Sequence, residues 1–127
     1  MPTVSVIMNC HNGAQYLAEA IDSVYEQTFQ DFEIIFYDNA STDKSVEIAS
    51  GYDERMIVVR NEGTIKTLGA ARKEAVTRAT GEWIAFLDTD DVWLPKKLVT
   101  QLDQLNRSDY VMAYGGLENM DSEGKYL

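Results

Sequence analysis

The chain has 127 residues, the size of one domain with one real core. Hydrophobic residues make up 45% and charged residues 25%, a globular rather than a disordered composition. The net charge of -10, with 21 acidic against 11 basic residues, argues against a duplex nucleic-acid partner, which needs clustered Lys and Arg. It leaves room for a nucleotide, because a bound cation can reverse the local sign.

Reading from the N-terminus, Val4 to Met8 is a short apolar run that predicts a first strand. Leu17, Ile21, Val24 and Tyr25 follow on one face of a predicted helix. Phe32 to Tyr37 predicts the second strand, and Ser41-Thr42-Asp43 supplies capping groups for a second helix carrying Val46, Ala49 and Tyr52. Met56 to Val59 predicts the third strand. Ala71, Ala75 and Ala79 form a narrow stripe on a third helix, which Gly81 is expected to stop. Trp83 to Leu87 predicts the fourth strand. Pro95 suits a helix start, and Leu94, Leu98, Leu102 and Leu105 form the clearest stripe of all. Tyr110 to Tyr114 predicts a fifth strand, and residues 115–127 turn polar, as a loop or edge element.

Strand and helix alternate along a single domain, 1–127. The fold class is therefore α/β, a Rossmann-like, mainly parallel sheet with helices on both faces. Cys10 is the one cysteine, so no internal disulfide is possible, and the count suits a reducing compartment. No apolar stretch approaches the roughly 20 residues that span a bilayer. The residues before the first strand read as neither a basic leader nor a signal peptide, and none is expected. The expected location is cytoplasmic, free or against the cytoplasmic face of a membrane.

Ligands of such sheets bind beyond the carboxyl ends of the strands. Three polar segments fall there: Asn9-Cys10-His11-Asn12-Gly13, Asp38-Asn39-Ala40-Ser41-Thr42-Asp43 and Asp88-Thr89-Asp90-Asp91. Three carboxylates in four residues repel one another. They make either a solvated acidic turn that caps the next helix or a site for a hard cation such as Mg²⁺ or Mn²⁺. Neither G-x-G-x-x-G after the first strand nor a P-loop is present, so a diphosphate needs another positive partner. Asp43 reads more simply as a helix cap, Cys10 as a small buried hydrophobe and His11 as a pocket wall or a plain loop histidine.

Val4 to Asn12, Gln27-Thr28-Phe29 with Phe32-Glu33-Ile34-Ile35, and Tyr37 to Asp43 resemble the opening of family 2 glycosyltransferases. Asn61-Glu62-Gly63, Ala71-Arg72-Lys73, Ala79 to Ile84 and Phe86-Leu87-Asp88-Thr89-Asp90-Asp91 continue that resemblance in order, over nearly the whole chain. It implies a GT-A fold and an inverting, Mn²⁺- or Mg²⁺-assisted transfer from a nucleotide-diphospho-sugar, most often UDP-linked, to a sugar, polysaccharide or lipid-linked acceptor. It implies that Asp38 accepts from the uracil N–H, Asp88 meets the ribose, Asp90 ligates the metal with Asp88 beside it, and Arg72 lies near the donor. Asn9, His11 and Asn12 fall at the base pocket, although the family usually has Pro at Asn9 and Tyr or Phe at His11. The family's catalytic base lies beyond Leu127, so these residues are expected to be its donor-binding half. The alternative expectation is a nucleotide-sugar-binding module without turnover, able to self-associate through a face exposed by truncation.

Overall fold

The computed structural model describes residues 1–63 and 65–127. The elements run β1 (Val4–Cys10), α1 (Ala14–Tyr25), β2 (Phe32–Asn39), α2 (Ser45–Ala49), β3 (Met56–Asn61), α3 (Leu68–Val76), β4 (Trp83–Phe86) and α4 (Lys97–Asn106). The strands form one sheet in the order β3-β2-β1-β4, every pair parallel. β1 and β2 are central and buried almost throughout. The outer strands β3 and β4 alternate between half-buried and exposed residues, as edge strands do.

The period-2 alternation of β1 and β2 sorts the core into two layers. Val4, Val6, Met8, Cys10, Phe32, Ile34 and Phe36 face one side and meet Leu17, Ile21 and Val24 of α1 with Leu98 and Leu102 of α4. Ile7, Ile35 and Tyr37 face the other side and meet Ala71 and Ala75 of α3. Two residues of the expected alanine stripe, Ala71 and Ala75, lie on α3 against the sheet, while Ala79 falls beyond the helix, which ends at Val76.

Four local expectations differ from what is found. Tyr110 to Tyr114 is not a strand: Tyr110, Val111, Met112 and Tyr114 are exposed, and among the described residues no neighbouring strand offers the segment a ladder. Leu94 precedes α4 and is exposed, so only Leu98, Leu102 and Leu105 of that stripe are buried. Tyr52 lies beyond α2, where its hydroxyl donates to Asp22 Oδ1 at 2.7 Å. Gly81 does not stop α3, which ends at Val76. A Cβ at Gly81 would stand 2.7 Å from the backbone nitrogen of Ser5, so only glycine lets this segment pass β1.

That crossing is secured by a buried carboxylate. Glu33 Oε1 accepts from Ser5 Oγ (2.6 Å), Thr80 N (2.7 Å) and Thr80 Oγ1 (3.0 Å), while Ser5 Oγ accepts from Gly81 N at 2.8 Å. Charge-assisted bonds of this kind are among the strong ones. They pin the start of β4 to the two central strands.

Candidate functional site

Because every strand is parallel, the carboxyl ends of β1, β2 and β4 share one edge of the sheet. The chain moves from β1 outward to β3, then returns to place β4 on the opposite side of β1. The switch in strand order therefore lies between β1 and β4, where a ligand crevice is expected. The loops after these two strands are in contact. A Cβ at Gly13 would stand 2.6 Å from Thr89 Oγ1, so a glycine there lets the Asp88–Asp91 loop lie against the β1 loop.

The first and second loops are laced together. The Asn12 carboxamide oxygen accepts from the backbone N–H of Thr42 (2.8 Å) and Asp43 (3.3 Å), and Asn12 N donates to Ser41 Oγ at 2.8 Å. Asp43 caps two helices: Oδ2 accepts from Ala14 N at the start of α1, and Oδ1 accepts from Ser45 N and Ser45 Oγ at the start of α2. The Ser45 hydroxyl and these backbone N–H groups hold its carboxyl below the usual range. Asn12 and Ala40 both adopt positive φ, 53° and 55°. Asparagine tolerates this backbone, whereas for alanine it costs roughly 1–2 kcal/mol. Strain of that kind collects at functional sites.

Asp38 is completely buried at the end of β2. Its Oδ2 accepts from Ser41 N at 3.2 Å, and Arg60 Nε stands 3.8 Å away. Its Oδ1 has no partner among the described residues. Asn9 lies in β1 rather than in the loop, and both polar atoms of its side chain are buried without a partner. An unpaired buried group costs about 1–3 kcal/mol. His11 is exposed and its Nδ1 donates to the Asn39 carbonyl at 2.7 Å. Cys10 is a buried member of the core, as expected.

On the other side of β1, Arg72 of α3 reaches across to Asp88, Nη2 to Oδ1 at 2.8 Å, with its guanidinium over the Phe86 ring. Asp90 lines a cleft of about 200 Å³ with Tyr16, Glu19, Val92, Met120 and Asp121. Burial raises the Asp91 carboxyl above its usual value, and the charges of Asp90 and Asp88 add to the shift. Among the described residues, no three His, Cys, Asp or Glu side chains converge as a closed metal site. The donor set still fits a hard divalent cation. Magnesium-type ions take one or two carboxylates and draw their remaining ligands from substrate phosphates and water.

Three contributors have roles that the sequence reading did not assign. Arg60 reaches Asp38 because β2–β3 register pairs the two residues. Gln27, buried after α1, donates to the carbonyls of Ser23 (3.0 Å) and Leu94 (2.7 Å) and accepts from Leu98 N at 3.0 Å. It thereby supplies the cap that α4 lacks and holds the segment that follows the acidic loop. Ser23 adds a bond from Trp93 N to its Oγ at 3.1 Å. Glu33 is the third. Only the polarity of Gln27 and Glu33 within apolar surroundings could have singled them out.

The all-parallel four-stranded α/β architecture is that of the GT-A glycosyltransferases among solved structures. The family model for glycosyl transferase family 2 matches residues 5–125, and the chain belongs to that family. It is 39% identical over 132 residues to an uncharacterized glycosyltransferase of Methanocaldococcus jannaschii, covering 99% of this chain and 45% of that protein. A Nostoc glycosyltransferase is 38% identical over 130 residues, covering 98% and 39% respectively. Among solved structures, Staphylococcus aureus TarS 1–349 in complex with UDP-GlcNAc superposes with a TM-score of 0.78 at 28% identity, over 83% of this chain and 31% of that one. The mannosyltransferase PcManGT of Pyrobaculum calidifontis, in complex with GDP-Man and Mn²⁺, gives 0.66 at 27% identity, over 77% and 30%. The chain thus spans less than half the length of each of these four proteins. Among the described residues, no helix is long and apolar enough to cross a membrane.

Proposed function

We propose that these residues form the donor-binding half of an inverting glycosyltransferase, which moves a sugar from a nucleoside diphosphate, UDP by preference, to an acceptor hydroxyl. The observation that carries this reading is that the parallel sheet brings Asp38, at the end of β2, and Asp88 and Asp90, after β4, to the same edge on either side of β1. Asp38, with an unpaired carboxylate oxygen, accepts from the base N–H. Asp88 meets the ribose while Arg72 holds it in place. Asp90, with Asp88 beside it, holds Mn²⁺ or Mg²⁺. Such a cation, when bound, supplies Lewis-acid charge that eases departure of the diphosphate. His11 and Asn12 wall the base pocket, Asn12 by fixing the shape of two loops rather than by a free amide. The general base that takes the acceptor proton is assigned to sequence outside these 127 residues, in keeping with the share of the relatives that the chain covers.

A second reading, a module that binds nucleotide sugar without turnover, is favoured by that same coverage. Turnover of a nucleotide sugar by this chain alone would exclude it. The donor-site reading itself is tested by thermal unfolding with UDP, with and without Mn²⁺. Ligand linkage predicts a rise in Tm only when both are present, and Asp90→Ala abolishes it. A metal-dependent shift that survives Asp90→Ala refutes the metal assignment.

A further inference from the structure

The cleft beside Asp90 carries chemistry that the donor-site reading leaves unused. Tyr16 and Glu19 of α1, Val92 after the acidic loop and the turn at residues 120–124 enclose about 200 Å³. The turn is a built wall. Met120 bridges to Tyr126, Asp121 Oδ1 accepts from Glu123 N (3.0 Å) and Lys125 N (2.9 Å), and Gly124 takes the positive φ of 81° that the turn needs. Asp121 is thereby held at one carboxylate oxygen and keeps the other for an occupant of the cleft.

The lining is one-sided in its hydrogen bonding. Among the described residues, Glu19 and Asp90 have no hydrogen-bond or ion-pair partner, and no Lys, Arg, Asn or Gln side chain lines the cleft. Carboxylates only accept, so an occupant must donate. It is not an anion, because Glu19, Asp90 and Asp121 repel a phosphate. Charge alone does not define the place. Tyr16 is half-buried and presents an aromatic ring, and its hydroxyl accepts from Gln15 Nε2 at 3.1 Å, which leaves its own proton to donate. Val92 and Met120 add aliphatic surface. An aromatic ring with aliphatic flanks and a rim of acceptors matches a pyranose, whose C–H faces are apolar and whose edge carries O–H donors. The volume suits one such ring and is too small for a nucleotide.

We propose that this cleft is a subsite for one neutral sugar ring of the acceptor. The C–H face of the ring lies on Tyr16, and its hydroxyls donate to Glu19 and Asp121. Asp90 stands at the end of the cleft, so the ring lies beside the cation and sugar diphosphate of the donor site. The binding of sugar stands on the cleft alone; its assignment to the acceptor rests on the donor-site reading.

The test is heteronuclear NMR of the full chain titrated with the methyl glycosides of glucose, galactose, mannose and N-acetylglucosamine. At least one of them should shift the amide signals of Tyr16, Glu19 and Met120, with a Kd of about 1–10 mM, the range open to a ligand of this size. Tyr16→Ala should weaken that binding by about fivefold or more, while the UDP–Mn²⁺ rise in Tm keeps its size. Glu19→Ala, at an exposed helix position, should weaken it about threefold and reads the same effect if Tyr16→Ala does not fold. Silence from all four glycosides, or shifts that survive both substitutions, overturns the proposal. A chain that gives the UDP–Mn²⁺ rise but no glycoside shift loses only this subsite. One that gives the glycoside shifts without the UDP–Mn²⁺ rise keeps the sugar site and overturns the donor-site reading, and with it the assignment to the acceptor.

Discussion

Replacing Gln27 by alanine should unfold more than a helix end. The side chain is 2% exposed and makes three hydrogen bonds, to the Ser23 and Leu94 carbonyls and from Leu98 N. At about 0.5–1.5 kcal/mol net for each, with the partners left unpaired in the interior, the loss is about 2–4 kcal/mol. For a domain of this size that lowers Tm by roughly 10 °C, measured by circular dichroism during heating. Two of the three bonds hold the segment just after the acidic loop, so the metal-dependent UDP shift should shrink as well. Gln27→Glu separates the contributions. A carboxylate still accepts from Leu98 N but faces two carbonyls without a proton to donate, so it should be at least as destabilising near neutral pH. A fall in Tm of less than about 2 °C for Gln27→Ala would refute the reasoning, because the three bonds would then be contributing almost nothing.

Four further outcomes follow from the same geometry. Gly13→Ala drives a Cβ to within 2.6 Å of Thr89 Oγ1, so it should weaken UDP–Mn²⁺ binding, with partial recovery in the double variant Thr89→Ala; recovery of nothing would place the damage elsewhere. Arg72→Met removes a partly exposed ion pair to Asp88, worth no more than about 1 kcal/mol of stability, so Tm should barely move while UDP–Mn²⁺ affinity falls. Asp53 accepts from Arg55 and Tyr25, which depress its carboxyl from the ordinary 3.8 to about 2. Its stabilising contribution is complete above the ordinary value and lost as pH falls through the depressed one, so Asp53→Asn should flatten the acid limb of a stability–pH curve, by a modest amount because the group is partly exposed. Finally, Ile84 and Phe86 on the open edge of the sheet, with Tyr110, Val111 and Tyr114 nearby in sequence order after α4, are exposed and apolar. Sedimentation velocity should show concentration-dependent self-association that Ile84→Lys reduces.

Much of the fold was legible because period and punctuation agree. The runs at Val4, Phe32, Met56 and Trp83 are all strands, and their parallel pairing puts the three polar loops on one edge. β1, β2 and β3 each run two residues beyond the apolar run, because polar residues such as Asn9, Asp38 and Asn61 continue the ladder, whereas β4 ends one residue earlier, at Phe86. Tyr110 to Tyr114 misled for the opposite reason. Its composition suits a strand, but a strand needs a neighbour to satisfy its backbone, and among the described residues none lies beside it. In the candidate site, the acidic residues announce themselves by charge. Arg60 does not, because its meeting with Asp38 depends on register, a property of two strands at once. The Gly81 reading failed because a glycine after a helix looks the same whether it ends the helix or makes room for a strand beside it.

The strand order also bears on how the chain reaches this state. β1, α1 and β2 are consecutive and can dock early, with α2 and β3 added next to them in sequence. β4 must then return to the far side of β1, and the bond from Gly81 N to Ser5 Oγ joins residues 76 apart. Loop closure of that span is an entropic cost met before any β4 contact forms. The Glu33 cluster, which fastens the returning segment, is therefore expected to form late. Its disruption by Glu33→Ala, which removes the acceptor oxygen, should speed unfolding while leaving the folding rate nearly unchanged. The half of the crevice that carries Asp88 and Asp90 is then the last part of the candidate site to be assembled, and the first to be lost.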